Sequence, residues 1–221
     1  MLSTDDNQLV TEIEGNNPCG NLLRQFWQPV ALKEEIDPPR EAKAVKILGE
    51  DLVLFRDDDR KYGLIDRRCP HRGADLHYGR LEHGGIRCPF HGWLFDINGK
   101  CLEQPAEPED SKFYTKIKIK SYPCKEINGI IFTYMGKGNP PSLPSFDCFI
   151  APNSHSFAFK GYLECNWLQA VEVGIDPSHA SFLHRYLENH DPDYGMQFGG
   201  NSGDSEMAMT AVLRDYVSPD I

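Results

Sequence analysis

Two short stretches hold the residues best suited to chemistry: Arg68-Cys69-Pro70-His71-Arg72-Gly73 and, further on, Arg87-Cys88-Pro89-Phe90-His91-Gly92-Trp93. As donors they read Cys-x-His, sixteen intervening residues, then Cys-x2-His. Two soft thiolates and two imidazoles suit either a tetrahedral zinc or a two-iron cluster in which histidines replace cysteines on one iron. The usual structural zinc finger takes both cysteines from one close pair and both histidines from another, whereas here each loop gives one of each. A pair of satisfied core histidines is the bland alternative. Gly73 and Gly92 have a mechanical use, since a residue without a Cβ reaches dihedrals that others avoid and lets backbone N–H groups approach a bound group. Trp93 and Phe90 are expected to shield the site from water.

Donors on two loops need a frame that fixes their separation, and the surrounding sequence reads as short β-runs joined by tight turns from Phe26 to about Met135. Strands are expected at 42–48, 52–56 and 62–66 before the second loop, and at 94–97 and 100–103 after it, joined through Asn98-Gly99, a favoured hairpin dipeptide. Residues 114–120 alternate polar and apolar with period two, which predicts a half-buried strand with isoleucines inward and lysines outward. Strands at 122–127 and 130–134 around Asn128-Gly129 complete a small antiparallel domain. Hairpin tips on such a sheet hold ligands rigidly. Residues 1–25 form an N-terminal segment, a polar tail with a short helix expected from Asn21. Gly136 to Pro144 breaks every periodicity with three prolines and two glycines, so 137–144 reads as a linker between a domain at 26–136 and a second region at 145–221. In that region a strand is expected at 156–164, a helix at 167–173, a second helix at 177–188 with Asp176 as N-cap and Pro177 in its first turn, and a strand at 206–217.

The chain has 221 residues, 40% of them hydrophobic, enough for ordinary globular cores. Its formal net charge of −10 argues against nucleic acid or an anionic membrane as partner. The N-terminus has neither a basic start nor an apolar run, and no stretch approaches the roughly 18 apolar residues of a membrane span, so a cytoplasmic location is expected. Cys19, Cys101, Cys124, Cys148 and Cys165 have no even pairing and are expected to be free thiols in a reducing compartment.

The motifs Cys-Pro-His-Arg-Gly and Cys-Pro-Phe-His-Gly-Trp resemble those of Rieske proteins. The resemblance implies a 2Fe-2S cluster with Cys69 and Cys88 on one iron and His71 and His91 on the other. A second motif extends it. Asn166-Trp167-Leu168-Gln169-Ala170-Val171-Glu172 leads to Asp176-Pro177-Ser178-His179, with His184 following. Two histidines five apart point about 140° apart on a straight helix, so alone they are more often ordinary helix residues. In order after a Rieske motif, however, Asp-x2-His-x4-His resembles the α subunit of Rieske non-haem iron oxygenases, most like the phthalate-dioxygenase group with its aromatic O-demethylases.

That resemblance implies an α+β chain: a small all-β Rieske domain with its cluster on two hairpin loops, then the start of an α+β catalytic domain. It implies that His179 and His184 bind a mononuclear Fe(II), with a carboxylate completing a facial triad. Asp191, Asp193, Asp204, Glu206, Asp215 and Asp220 are available acids, but none matches the family's ligand, which comes from later in a longer chain; this sequence is expected to be the N-terminal part of such a chain. Asp176 resembles the acid that bridges a neighbour's cluster to this iron. Implied partners are an aromatic acid and dioxygen as substrates, a flavin/iron-sulfur reductase or a ferredoxin as electron donor, and like subunits in a homotrimer. A histidine-ligated cluster has a potential of roughly −150 to +300 mV, which lets electrons pause before the iron. A Rieske ferredoxin with no substrate is the alternative, and a zinc-stabilised interaction module a third reading.

Overall fold

The computed structural model describes residues 2–36, 42–176 and 179. The chain divides into two compact units, Met1–Tyr162 and Leu163–Ile221. In the first, helix α1 (Thr4–Thr11) occupies what reads as a polar tail. It is capped by the Ser3 hydroxyl, which accepts from the Asp6 N–H at 3.1 Å, and it buries nothing. Helix α2 (Pro18–Leu23) begins three residues before Asn21, with proline in its first turn where no N–H is needed. Arg24 ties this segment to the body, donating to the Ile13 and Leu48 carbonyls and to Glu50.

Eleven short strands follow among the described residues: β1 (Trp27–Leu32), β2 (Lys43–Ile47), β3 (Glu50–Arg56), β4 (Tyr62–Asp66), β5 (Arg80–Glu82), β6 (Gly85–Arg87), β7 (Leu94–Phe95), β8 (Cys101–Glu103), β9 (Ser121–Tyr122), β10 (Cys124–Ile127) and β11 (Ile130–Tyr134). They form three antiparallel sheets, β1-β11-β10, β2-β3-β4-β9 and β5-β6-β7-β8. β3 and β4 are apolar on both faces, and period-two alternation sends their side chains to two different cores. Leu52, Leu54 and Leu64 pack with Val30, Ala31 and Ile131 of the first sheet. Val53, Phe55 and Ile65 pack with Ile86, Phe95, Cys69 and Cys88. The middle sheet therefore anchors the third sheet, which carries the second Cys/His loop.

Turn chemistry follows local residues. Asn128 and Gly129 both have positive φ, 45° and 81°, and pair Ile127 with Ile130 in a two-residue hairpin. Asn98-Gly99 does not form that turn. The Asp96 carboxylate accepts from the Asn98 and Lys100 N–H groups, both at 2.8 Å, so it wraps a longer turn with only Gly99 left-handed.

Residues 114–120 also depart from the expected strand. Phe113–Lys116 is a turn of 3-10 helix, and Lys100↔Lys118 is a single bridge. The burial pattern survives: Ile119 is buried and Ile117 half-buried, while Lys116, Lys118 and Lys120 are exposed. Period two reported which faces were wet, not whether a ladder formed.

Past the proline-rich stretch the chain stays on the first unit. Trp27 Nε1 donates to the Pro141 carbonyl at 2.8 Å, Phe149 meets Phe132 edge-on, and Lys160 pairs with Glu35. A short helix, α3 (Asp147–Ile150), lies in this run. The strand expected at 156–164 is absent: these residues pair with no strand among the described residues, and Phe157 and Phe159 stand exposed. The described part of the second unit contains helix α4 (Trp167–Ile175), capped by Asn166 Oδ1 from the Leu168 N–H. The expected helix 177–188 and strand 206–217 lie outside the described residues. No helix among the described residues is long and apolar enough to cross a membrane.

Candidate metal centre

Cys69 follows β4 and Cys88 follows β6, and the two loops they open fold alike. In the first, the Cys69 N–H donates to the Ala74 carbonyl at 2.9 Å and the Gly73 N–H to the Cys69 carbonyl at 2.8 Å. In the second, the Cys88 N–H donates to the Trp93 carbonyl at 2.8 Å and the Gly92 N–H to the Cys88 carbonyl at 3.2 Å. Each glycine lies four residues after its cysteine, with φ of 70° at Gly73 and 73° at Gly92, the left-handed region where a Cβ is costly.

The loops sort their donors by depth. Cys69 and Cys88 are only 2% and 3% exposed and belong to the core, whereas His71 lies exposed at the rim with His91 beside it, ring centroids 4.5 Å apart. Burial pushes the Cys69 thiol up to about 11, and the neighbouring Cys88 thiol adds to the shift. Cys101, buried in the same core, is also raised to about 11 by burial.

Aromatic groups frame the imidazoles. Trp93 is buried and stacks on His71 at 4.8 Å with an interplanar angle of 6°, and Phe113 meets the Trp93 ring edge-on. Trp93 thus backs one face of the His71 ring, which itself stays exposed. Phe90 lies 4.0 Å from the His91 ring but is itself 62% exposed, so it covers that ring without sealing it.

Several supporting residues were not singled out from sequence. Arg67 grips Asp75 through Nε and a terminal nitrogen at 2.6–3.0 Å, closing the first loop at its base. That pairing, with the His77 N–H, holds the Asp75 carboxyl below its ordinary value. At the second loop Arg87 binds Glu82, Glu103 and the Gly92 carbonyl. Gln104 is 8% exposed, and among the described residues neither its amide nitrogen nor its oxygen has a hydrogen-bond partner, although it lies near enough to Cys101 to favour that thiolate slightly. Its neighbour Pro105 sits against Gly92. The only sequence signal for the arginines is their place just ahead of each cysteine.

The donor set fits a two-iron cluster. It supplies a thiol pair and an imidazole pair at different depths, on two loops of the same shape. A single tetrahedral ion needs its donors on one point, and among the described residues no group of three or more His, Cys, Asp or Glu converges in that way.

In the second unit, Asp176 closes α4, its N–H donating to the Glu172 carbonyl at 3.0 Å. His179 Nδ1 lies 2.7 Å from the Asp176 carbonyl oxygen and 3.6 Å from its carboxylate. With the proton on Nδ1, that contact leaves Nε2 with its lone pair for a ligand. His184 and the acids at 191, 193, 204, 206, 215 and 220 lie outside the described residues.

Known proteins share these features. The model of the Rieske [2Fe-2S] domain matches residues 26–123. The chain is 38% identical over 187 residues to the oxygenase subunit of 5,5'-dehydrodivanillate O-demethylase from Sphingobium sp., covering 83% of this chain and 44% of that protein. It is 40% identical over 189 residues to the oxygenase subunit of phthalate 4,5-dioxygenase from Pseudomonas putida, covering 83% of this chain and 42% of that protein. The crystal structure of dicamba monooxygenase bound to dicamba aligns with a TM-score of 0.59 at 28% identity, over 73% of this chain and 48% of that one. The chain spans less than half the length of each of these proteins. The chain thus carries a Rieske [2Fe-2S] domain at residues 26–123, and over 83% of its length it is similar to the oxygenase subunits of Rieske-type enzymes.

Proposed function

We propose that this chain is the electron-accepting part of a terminal oxygenase that hydroxylates or O-demethylates an aromatic acid. The observation that carries the proposal is the pair of like-folded loops, with the Cys69 and Cys88 thiols in the core and the His71 and His91 imidazoles 4.5 Å apart at the rim. Cys69 and Cys88 would hold the inner iron of the cluster, and His71 and His91 the outer one. The alignment with oxygenase subunits runs over 83% of the chain, well past residues 26–123, which favours an oxygenase over a bare ferredoxin.

Residues 145–221 open the catalytic part in this reading, with 145–162 still lying on the first unit. His179 and His184 would hold a mononuclear Fe(II), with a carboxylate as third protein ligand. A bound cluster supplies one-electron transfer, and a bound Fe(II) the place where dioxygen is activated. The chain's own residues set the geometry: Trp93 backs one face of the His71 ring, and the Asp176 carbonyl fixes the His179 ring. The Asp176 carboxylate then links His179 to His91 of a second copy, in a homotrimer supplied by a reductase or ferredoxin in the cytoplasm.

Asp176→Asn tests the link, because the backbone carbonyl that orients His179 survives the change while the carboxylate charge does not. The intact protein is supplied with a reductase and aromatic acids, including O-methylated ones. Both metals are expected to stay bound, while product formed per cluster oxidised falls about 100-fold. Undiminished turnover in Asp176→Asn would refute the bridge, and no product from any aromatic acid with the unsubstituted protein would refute the substrate class.

A further inference from the structure

Arg87 is the last residue of β6 and the one immediately before Cys88. Its side chain is only 13% exposed, and all three guanidinium nitrogens are engaged. Nε donates to Glu82 at 2.5 Å, one terminal nitrogen to Glu103 at 2.6 Å, and the other to the Gly92 carbonyl at 2.6 Å. Glu82 belongs to β5, Glu103 to β8 and Gly92 to the loop itself, so one planar group joins two strands of the sheet to the second Cys/His loop. The two carboxylates fix the guanidinium, and the guanidinium fixes the carbonyl.

That carbonyl belongs to the peptide joining Gly92 to Trp93, immediately after His91. A peptide unit is planar, so holding its oxygen sets the plane, and the Cys88 N–H holds the next carbonyl, that of Trp93, at 2.8 Å. Gly92, at φ 73°, has no steric preference of its own to keep it there. The first loop is tied differently, since Arg67 grips the Asp75 side chain at the loop's base.

We infer that Arg87 is a positioning residue for the cluster: by gripping the Gly92 carbonyl it holds the second loop, and with it His91, in the shape that retains the two irons. This rests on the reading of the centre as a 2Fe-2S site. Lysine cannot take its place, because an ammonium is a point charge without the rigid fork that reaches three acceptors at once. Fork geometry, and not charge alone, is what the loop requires.

The test compares the cluster-loaded intact chain with Arg87→Lys, Arg87→Gln and Glu103→Gln, following cluster absorbance during chelator challenge and the electron paramagnetic resonance of the reduced protein. Both Arg87 variants are expected to lose cluster about 10-fold faster than the unsubstituted chain, with shifted g-values. Glu103→Gln keeps an amide oxygen to accept from the same nitrogen and leaves the Glu82 and Gly92 contacts in place, so it is expected to lose cluster much more slowly than the Arg87 variants. If Arg87→Gln fails to fold, Arg87→Lys decides. An Arg87→Lys protein as durable as the unsubstituted chain, with the same spectrum, would overturn the inference, and so would Glu103→Gln losing cluster as fast as the Arg87 variants. An unsubstituted chain that takes up no cluster would instead overturn the reading of the centre itself.

Discussion

Gly73 and Gly92 occupy equivalent places in the two loops, yet they differ in what a side chain would meet. A Cβ at Gly73 has nothing within 4 Å, whereas one at Gly92 would lie 3.3 Å from Pro105 Cγ. A left-handed L-residue costs about 1–2 kcal/mol from the backbone alone. Gly73→Ala should therefore destabilise the metal-free protein by about that much, and Gly92→Ala by more. Denaturant unfolding of both variants measures the difference; equal losses would mean that Pro105 simply gives way. The four proposed donors and both glycines stand out in the sequence because their spacing lies within a few letters. Arg87 is not, since its partners Glu82 and Glu103 lie 5 and 16 residues away and meet it only once β5, β6, β7 and β8 have paired. Gln104 is hidden for a like reason: nothing in a Glu-Gln-Pro run announces a buried amide.

Among the elements, β3 and β4 were readable because a run such as Leu52-Val53-Leu54-Phe55 must be covered on both faces. Residues 114–120 alternate without forming a strand, because alternation records exposure while a strand also needs a partner with free hydrogen-bonding groups. A tie that only the fold reveals is Glu35, which joins the end of β1 to β2 and to the returning chain. Burial opposes its ionisation, but hydrogen bonds from Lys160, from the Leu32 N–H and from Lys43 outweigh it and lower the carboxyl to about 2. A carboxyl lowered on folding stabilises the protein fully above its ordinary value of 4.5 and loses that contribution as pH falls toward about 2. Glu35→Gln should thus be less stable than the unsubstituted protein near neutral pH, by about 1 kcal/mol given partial screening. The gap should close as the pH drops through that window. Denaturation midpoints taken across the range check it, and a gap that stays constant with pH would contradict the ion-pair account.

At the scale of the whole molecule, the first unit is organised around a middle sheet buried on both sides, one core holding the N-terminal and C-terminal strands together and the other holding the thiols. Its antiparallel β character could be anticipated, since its strands are short and bounded by turn residues. The continuation of the chain along that unit as far as Tyr162 could not, because contacts such as Trp27 with Pro141 and Lys160 with Glu35 span more than a hundred residues and leave no local pattern. Of the second motif, Asp176 and His179 lie together, while His184 falls outside the described residues. All of this rests on the identity of the group held by Cys69, His71, Cys88 and His91. The most direct test is the metal and acid-labile sulfide content of the purified chain, with its electron paramagnetic resonance spectrum after dithionite reduction. About two irons and two sulfides per chain in the cluster, with a Rieske signal, is the predicted result. Zinc without sulfide would contradict it.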